Sequence, residues 1–198
     1  IIAEDGSTDG TVDIITRLST ANSRIKILSS RKNLGKGKAV QNGMLHATKN
    51  YVGFMDADLS ASPKEFLRCI NYIHDYDLVI GSRILRDDLG HIQRPFSRTL
   101  FSHLYSFLFR ILFNIPIKDT QCGFKVFHSC YIKKIFYKIK CYGYAFDVET
   151  MLLLNNSNIK IIELPVSWVH RPGSKVHLIK DSVKFFLDLL TLKRRLSR

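Results

Sequence analysis

The 198 residues are the length of one domain, enough to bury a full core. Thirty Lys and Arg against seventeen Asp and Glu leave a charge of +13, which favours polyanionic partners: nucleic acid, an anionic membrane face or phosphorylated substrates. Ample aromatics and no low-complexity tract exclude disorder. Cys69, Cys122, Cys130 and Cys141 lack C-x-x-C spacing, which argues against a zinc site or disulfide framework and for a reducing, cytosol-facing compartment.

Ile1-Ile2-Ala3 reads as the end of a strand, with a preceding strand expected outside this sequence. It runs into Glu4-Asp5-Gly6-Ser7-Thr8-Asp9-Gly10 and a helix with Val12, Ile15 and Leu18 on one face. The acids suit the ribose or base of a nucleotide, or an ordinary strand–turn–helix joint. Ile25 to Leu28 is a short strand. Asn33-Leu34-Gly35-Lys36-Gly37-Lys38 then opens a helix to about Thr48. This Gly- and Lys-rich loop fits a phosphate or a solvated turn, and it lacks P-loop spacing.

Tyr51-Val52-Gly53-Phe54-Met55 has the pattern of a strand buried on both faces, and it leads into Asp56-Ala57-Asp58. Ser62-Pro63-Lys64-Glu65 signals a helix start, with Ser as N-cap and Glu completing a capping box, ahead of Phe66, Leu67, Ile70 and Ile73. The two carboxylates thus fall at the carboxyl end of a strand, where α/β sheets bind ligands. Alternation lets both face one ligand, and a hard divalent cation between them relieves their repulsion. The plainer alternative is a strand-end Asp followed by a turn cap.

Leu78 to Arg83 is a further strand ending in a cation, so the order β-α-β-α-β-α-β predicts a mainly parallel sheet flanked by helices. Residues 99–117 are aromatic and apolar but broken by His103, Arg110 and Pro116. They read as core or as an interfacial element. No apolar run reaches the ~20 residues needed to cross a bilayer. Asp119 to Phe127 is a polar turn into a strand, Tyr144 to Leu154 opens as a helix, and Ile159 to Val166 is a strand. Trp168 to Lys175 is a cationic loop. The helix over 178–192 carries Ile179, Val183, Phe186, Leu187 and Leu190 on one face ahead of Lys193-Arg194-Arg195, which suits docking on the body or an anionic bilayer.

Seven pieces in this order carry a resemblance: Glu-Asp-Gly-Ser-Thr-Asp-Gly-Thr (4–11), Asn-Leu-Gly-Lys-Gly-Lys-Ala (33–39), Asp-Ala-Asp (56–58), Gly-Ser-Arg (81–83), Asp-Thr-Gln-Cys-Gly-Phe-Lys-Val-Phe (119–127), Ala-Phe-Asp-Val-Glu (145–149) and Gly-Ser-Lys-Val (173–176). Over nearly the whole chain the sequence resembles the family 2 glycosyltransferases of GT-A fold, in particular their dolichyl-phosphate (polyprenyl-phosphate) β-glucosyltransferase branch. The 119–125 stretch separates that branch from the similar dolichyl-phosphate mannosyltransferases. The resemblance implies an α/β, Rossmann-like mixed sheet and a single catalytic domain over 1–198.

It also implies Mg2+ or Mn2+ held by Asp56 and Asp58, and a nucleotide-sugar donor (UDP-glucose) met by Asp5, Gly6, Ser7, Lys36, Asp56 and Asp58. Arg83, Arg171 and Lys175 would grip a polyprenyl phosphate acceptor. Asp58 and Asp119 are implied in catalysis, Asp119 as a base or as the group orienting a cation or sugar hydroxyl. The expected reaction inverts the anomeric centre at the cytoplasmic face of a bacterial inner membrane or the endoplasmic reticulum. There the protein would sit peripherally, with 99–117 and 178–198 facing the bilayer.

Two features depart from the family pattern: the usual Pro-x-Tyr-Asn-Glu strand end is not in this sequence, and Glu4 stands where Asp is commoner. Two other classes compete. An Asp-x-Asp phosphatase with a phosphoaspartate nucleophile is poorly served by Leu59-Ser60. A nucleic-acid binder would cluster its basic residues, which are scattered here, so no nucleic-acid partner is expected.

Overall fold

The structure is a computed structural model that describes residues 1–85, 92–93, 106–107, 109–113, 115–155, 159–169 and 178–196. Strands β1 (Ile2–Glu4) and β2 (Ile27–Ser29) pair in parallel across helix α1 (Thr11–Ala21). Helix α2 (Lys36–His46) follows and leads to β3 (Tyr51–Met55), α3 (Pro63–Ile70) and β4 (Leu78–Ser82). Next come β5 (Ile92–Gln93), β6 (Phe124–His128), the short helix α4 (Ile132–Phe136) and α5 (Phe146–Asn155). The chain then runs through β7 (Ile161–Pro165), β8 (Trp168–Val169) and α6 (Leu178–Leu196).

The main sheet has the order β3-β6-β4-β7, with β6 antiparallel to both neighbours and β7 parallel to β4. The sheet is therefore mixed, with an antiparallel strand between the two strands that α3 connects. This arrangement corrects the burial expected of β3. It lies at the end of the hydrogen-bonding order and only Val52 is buried, whereas all five residues of β4 are. Apolar side chains of β4, β6, α4 and α5 form the larger core, with Leu78, Phe127, Phe136, Phe146 and Met151 nearly sealed from solvent.

Helix α3 begins as its sequence dictates: Ser62 caps it by accepting from the Lys64 amide at 3.3 Å, and Pro63 occupies its first position. Glu65 does not close the capping box. Its carboxylate accepts from the Ser167 amide and pairs with Arg68 at 3.0 Å, because β8 packs against this helix start. Leu67, expected on the apolar face, is 67% exposed.

The C-terminal helix also presents a different face from the one its pattern indicates. Phe185, Leu189 and Leu192 dock on the core, while Val183, Phe186 and Leu187 remain exposed. Of the 99–117 stretch, Phe109, Ile115 and Ile117 are core, whereas Phe107 and Ile111 are exposed. Among the described residues no helix is long and apolar enough to cross a membrane.

Candidate active site

The antiparallel insertion of β6 builds the site. Met55 of β3 is in register with Phe124 of β6, so the residues before β6 meet the residues after β3 at one sheet edge. There the Asp56 amide donates to Gly123 O at 3.1 Å, and the Asp56 carboxylate lies over Gly123. A Cβ on residue 123 would stand 2.0 Å from Asp56 Oδ2, so only glycine leaves room for this carboxylate. Asp58 is exposed and accepts from the Ser60 amide at 2.8 Å through Oδ1. The chain turns tightly over both, the Leu59 amide donating to Asp56 O at 3.3 Å, and Leu59 adopts φ 55, a conformation uncommon for a leucine.

Lys36, in the first turn of α2, reaches Asp56 Oδ1 at 2.5 Å. Its backbone is held from below. Asp5 Oδ1 accepts from the Leu34 amide at 2.9 Å, and Asp5 Oδ2 accepts from Gly35 at 2.7 Å. The Gly37 amide donates to Tyr142 O at 2.7 Å. Gly35, at φ 109, lies so close to Tyr142 O that a Cβ would sit 2.4 Å away. Three of the loop's amides thus bond within the protein, and Lys36 presents a charge at the edge. Gly6 packs on the Lys32–Asn33 backbone, so Asp5 and Gly6 join the first loop to the second, while the Ser7 amide donates within the first loop to Glu4 Oε1.

Arg83 follows β4 at the same edge. Its Nε, Nη2 and backbone N–H each donate to the Asp119 carboxylate at 2.8 Å, and its guanidinium stacks on Trp168 at 5.1 Å. Burial alone would raise the Asp119 carboxyl. The Arg83 charge and its three hydrogen bonds outweigh that and hold it below the usual carboxylate range. Asp119 is therefore ionised and bidentately engaged, the geometry of a group that fixes a cation. Glu163 of β7 completes the arrangement by accepting from the Lys118 and Asp119 amides at 2.8 Å each.

Beneath these lies a pair that sequence reasoning did not single out. Lys125, fully buried in β6, donates to Asp147 Oδ1 at 2.5 Å and to Cys122 O at 2.8 Å. Burial pushes the Asp147 carboxyl up, and the Lys125 and Lys36 charges only partly offset it. The available signal was a lysine inside the apolar run Phe124–Phe127, which requires a buried counter-ion. Cys122 adjoins the pair; burial raises its thiol to about 12, so it is a neutral packing group. All four cysteines are free.

Asp56 and Asp58 suit a hard divalent cation. Both are oxygen donors at one turn, and among the described residues neither Asp56 Oδ2 nor Asp58 Oδ2 carries a hydrogen bond. No cluster of three or more His, Cys, Asp or Glu able to hold a metal occurs among the described residues. The edge thus brings together Asp5, Lys36, Asp56, Arg83 and Asp119 through a chain of contacts. Arg171 and Lys175 lie outside the described residues.

The chain is 33% identical to a dolichyl-phosphate beta-glucosyltransferase of Dictyostelium discoideum, over 98% of this chain and 62% of that protein. It is 32% identical to one of Saccharomyces cerevisiae, over 98% and 63%. It therefore spans about three-fifths of the length of these curated relatives. The fold matches glucosyl-3-phosphoglycerate synthase from Mycobacterium tuberculosis in complex with UDP, with a TM-score of 0.64 and 17% identity over 95% of this chain and 66% of that one. The same enzyme with Mn2+ and UDP-glucose gives 0.65 and 16%, over 94% and 65%. These likenesses establish a GT-A-like α/β fold. The family model described as glycosyl transferase family 2 matches residues 1–136, the span that runs from the Asp5 loop through the Asp56–Asp58 turn to the Asp119–Gly123 segment, and the chain belongs to that family.

Proposed function

We propose that the chain catalyses transfer of glucose from UDP-glucose to a dolichyl or related polyprenyl phosphate, with inversion at the anomeric carbon. The similarity to dolichyl-phosphate beta-glucosyltransferases over 98% of the chain supports the glucosyl group and the acceptor, and the fold neighbour solved with Mn2+ and UDP-glucose suits the donor. The observation that carries the reading is the shared edge: a carboxylate pair fit for a metal–diphosphate stands beside an arginine locked by a buried aspartate.

In this reading an oxygen of the acceptor phosphate forms a bond to the sugar C1 while the bond from C1 to the diphosphate oxygen breaks, and UDP leaves with the electron pair. A phosphate monoester, with a second pKa of ~6, is largely dianionic at neutral pH, so no base needs to remove a proton. Asp119, held below the carboxylate range by Arg83, then acts as a positioning residue. It keeps a guanidinium aimed at the edge where two anions must be brought together. Arg171 and Lys175, which follow β8, are proposed to share the acceptor phosphate with Arg83. Asp5 holds the 33–36 loop so that Lys36 faces the diphosphate.

Asp56 and Asp58 would hold Mg2+ or Mn2+, which when bound neutralises charge on the leaving diphosphate. A lipid acceptor places the reaction at a bilayer. The exposed Val183, Phe186 and Leu187 beside Lys193 and Arg194 suit an anionic, cytoplasmic-facing surface.

The test is transfer from radiolabelled UDP-glucose to a short polyprenyl phosphate with Mn2+. Wild-type protein should form the glucosyl phospholipid and Asp58→Ala should not. Preferential use of GDP-mannose, or undiminished turnover by Asp58→Ala, would overturn the assignment.

A further inference from the structure

Among the described residues three cations stand at or beneath the sheet edge, and they are held in different ways. Arg83 is fixed by three donations to Asp119 and by Trp168. Lys125 is sealed between Asp147 and Cys122 O. Lys36 instead pairs at 2.5 Å with Asp56, a carboxylate assigned above to the metal, and both side chains keep contact with solvent at 29% and 27% exposure. The backbone at Lys36 is anchored through Gly35 and Gly37, while its four-carbon stem can turn. Asp56 is confined, with its amide on Gly123 O and its carboxylate against Gly123.

Among the described residues Lys36 sits on Oδ1 of Asp56 and leaves Oδ2 without a hydrogen bond, but an ammonium and a divalent cation on one carboxylate repel each other, so each weakens the other's hold. We propose that Lys36 occupies the cation position on Asp56 until a divalent ion and the donor's diphosphate arrive, so that metal and nucleotide binding are coupled through this one side chain. The inference rests on the metal role assigned to Asp56 under the proposed function.

A metal arriving alone at Asp56 meets the Lys36 charge and binds against its repulsion or displaces it. A second carboxylate whose charge reaches Lys36, that of Asp147, is already in contact with Lys125. A diphosphate arriving with the metal gives the released ammonium a new acceptor. Coupling of this kind is reciprocal: the nucleotide tightens the metal by the factor by which the metal tightens the nucleotide.

The experiment measures Mn2+ binding from the electron paramagnetic resonance signal of the free ion, with and without UDP, in wild type, Lys36→Met, Lys36→Gln and Lys36→Arg. Removing the competing charge should tighten binding of Mn2+ alone by about fivefold to tenfold in both neutral variants and shrink the enhancement that UDP gives, the scale of ordinary coupling between sites. Lys36→Arg should restore the wild-type pattern, and adding Asp56→Asn to any of them should remove the binding. Neutral variants that bind Mn2+ alone no more tightly than wild type would overturn the inference while leaving the metal role of Asp56 intact. Tightening that survives Asp56→Asn would overturn it as well. Wild-type protein that takes up no Mn2+ with or without UDP, yet transfers glucose, would overturn the metal assignment and this inference with it.

Discussion

Gly123→Ala adds one methyl group where the Asp56 carboxylate rests. The new Cβ would lie 2.0 Å from Oδ2, 2.4 Å from Cγ and 2.7 Å from Oδ1, whereas ordinary contact begins near 3.4 Å. Backbone on both sides is pinned by the Asp56 amide bond to Gly123 O and by the β3–β6 ladder, so the carboxylate must swing away by more than about 1 Å. A carboxylate at the end of a short side chain can turn at modest cost. Off-rotamer strain of about 0.5–1.5 kcal/mol and local overpacking together amount to about 1–3 kcal/mol. For a domain of this size that lowers the melting temperature by roughly 2–4 °C per kcal/mol. Function should suffer far more, because displacing a reacting or ligating group by ~1 Å costs on the order of a hundredfold in rate. Calorimetry beside Mn2+ binding and glucosyl transfer tests the separation. Mn2+ affinity and turnover both equal to wild type would refute the argument. So would a variant that fails to fold, because the clash would then not be absorbed by the carboxylate.

Asp119→Asn should cost about 3–5 kcal/mol in denaturant unfolding, since it leaves the mostly buried Arg83 without its counter-charge. The folded-state pKa of Asp119 lies below its unfolded value near ~3.9, so the stability it contributes is complete above that value and lost as pH falls through the lower one. Wild type should therefore lose stability below pH ~4 more steeply than Asp119→Asn, as measured by urea titrations across that range. Lys125→Met should destabilise by a similar ~3–5 kcal/mol through the stranded Asp147, and adding Asp147→Leu should recover much of the loss. A double variant no more stable than the single one would contradict the pairing.

Element order was legible because punctuation and period agree along the chain. Ser62-Pro63 starts α3 where a cap followed by proline must, and the apolar run 51–55 ends in Asp56 at a strand terminus. Strand direction was not legible. A β-α-β-α-β order implies parallel neighbours, and nothing in the residues of β6 states that it enters antiparallel between β3 and β4. The burial of β3 was misjudged for the same reason, since burial depends on place in the sheet. The helix over 178–196 carries two apolar stripes, and periodicity alone could not say which one docks. At the site, the residue types at Asp56, Asp58, Arg83 and Asp119 were readable from the motifs. Their pairing was not, because it joins segments up to 36 residues apart.

The net charge gains a different meaning once these pairings are known. A charge of +13 first argues for a cationic binding site. Yet Lys36 faces Asp56, Arg83 faces Asp119 and Lys125 faces Asp147, so these three pairs are neutral together, and exposed Asp58 adds a negative charge at the same edge. Among the described residues further cations stand exposed and away from this edge, at Lys133, Lys134, Lys138, Lys140, Lys184, Lys193 and Arg194. These exposed cations stand apart from the three ion-paired ones at the edge. Among the described residues the edge holds these three cations in ion pairs, while the outlying lysines and arginines would give a long-range, salt-sensitive attraction to anionic surfaces.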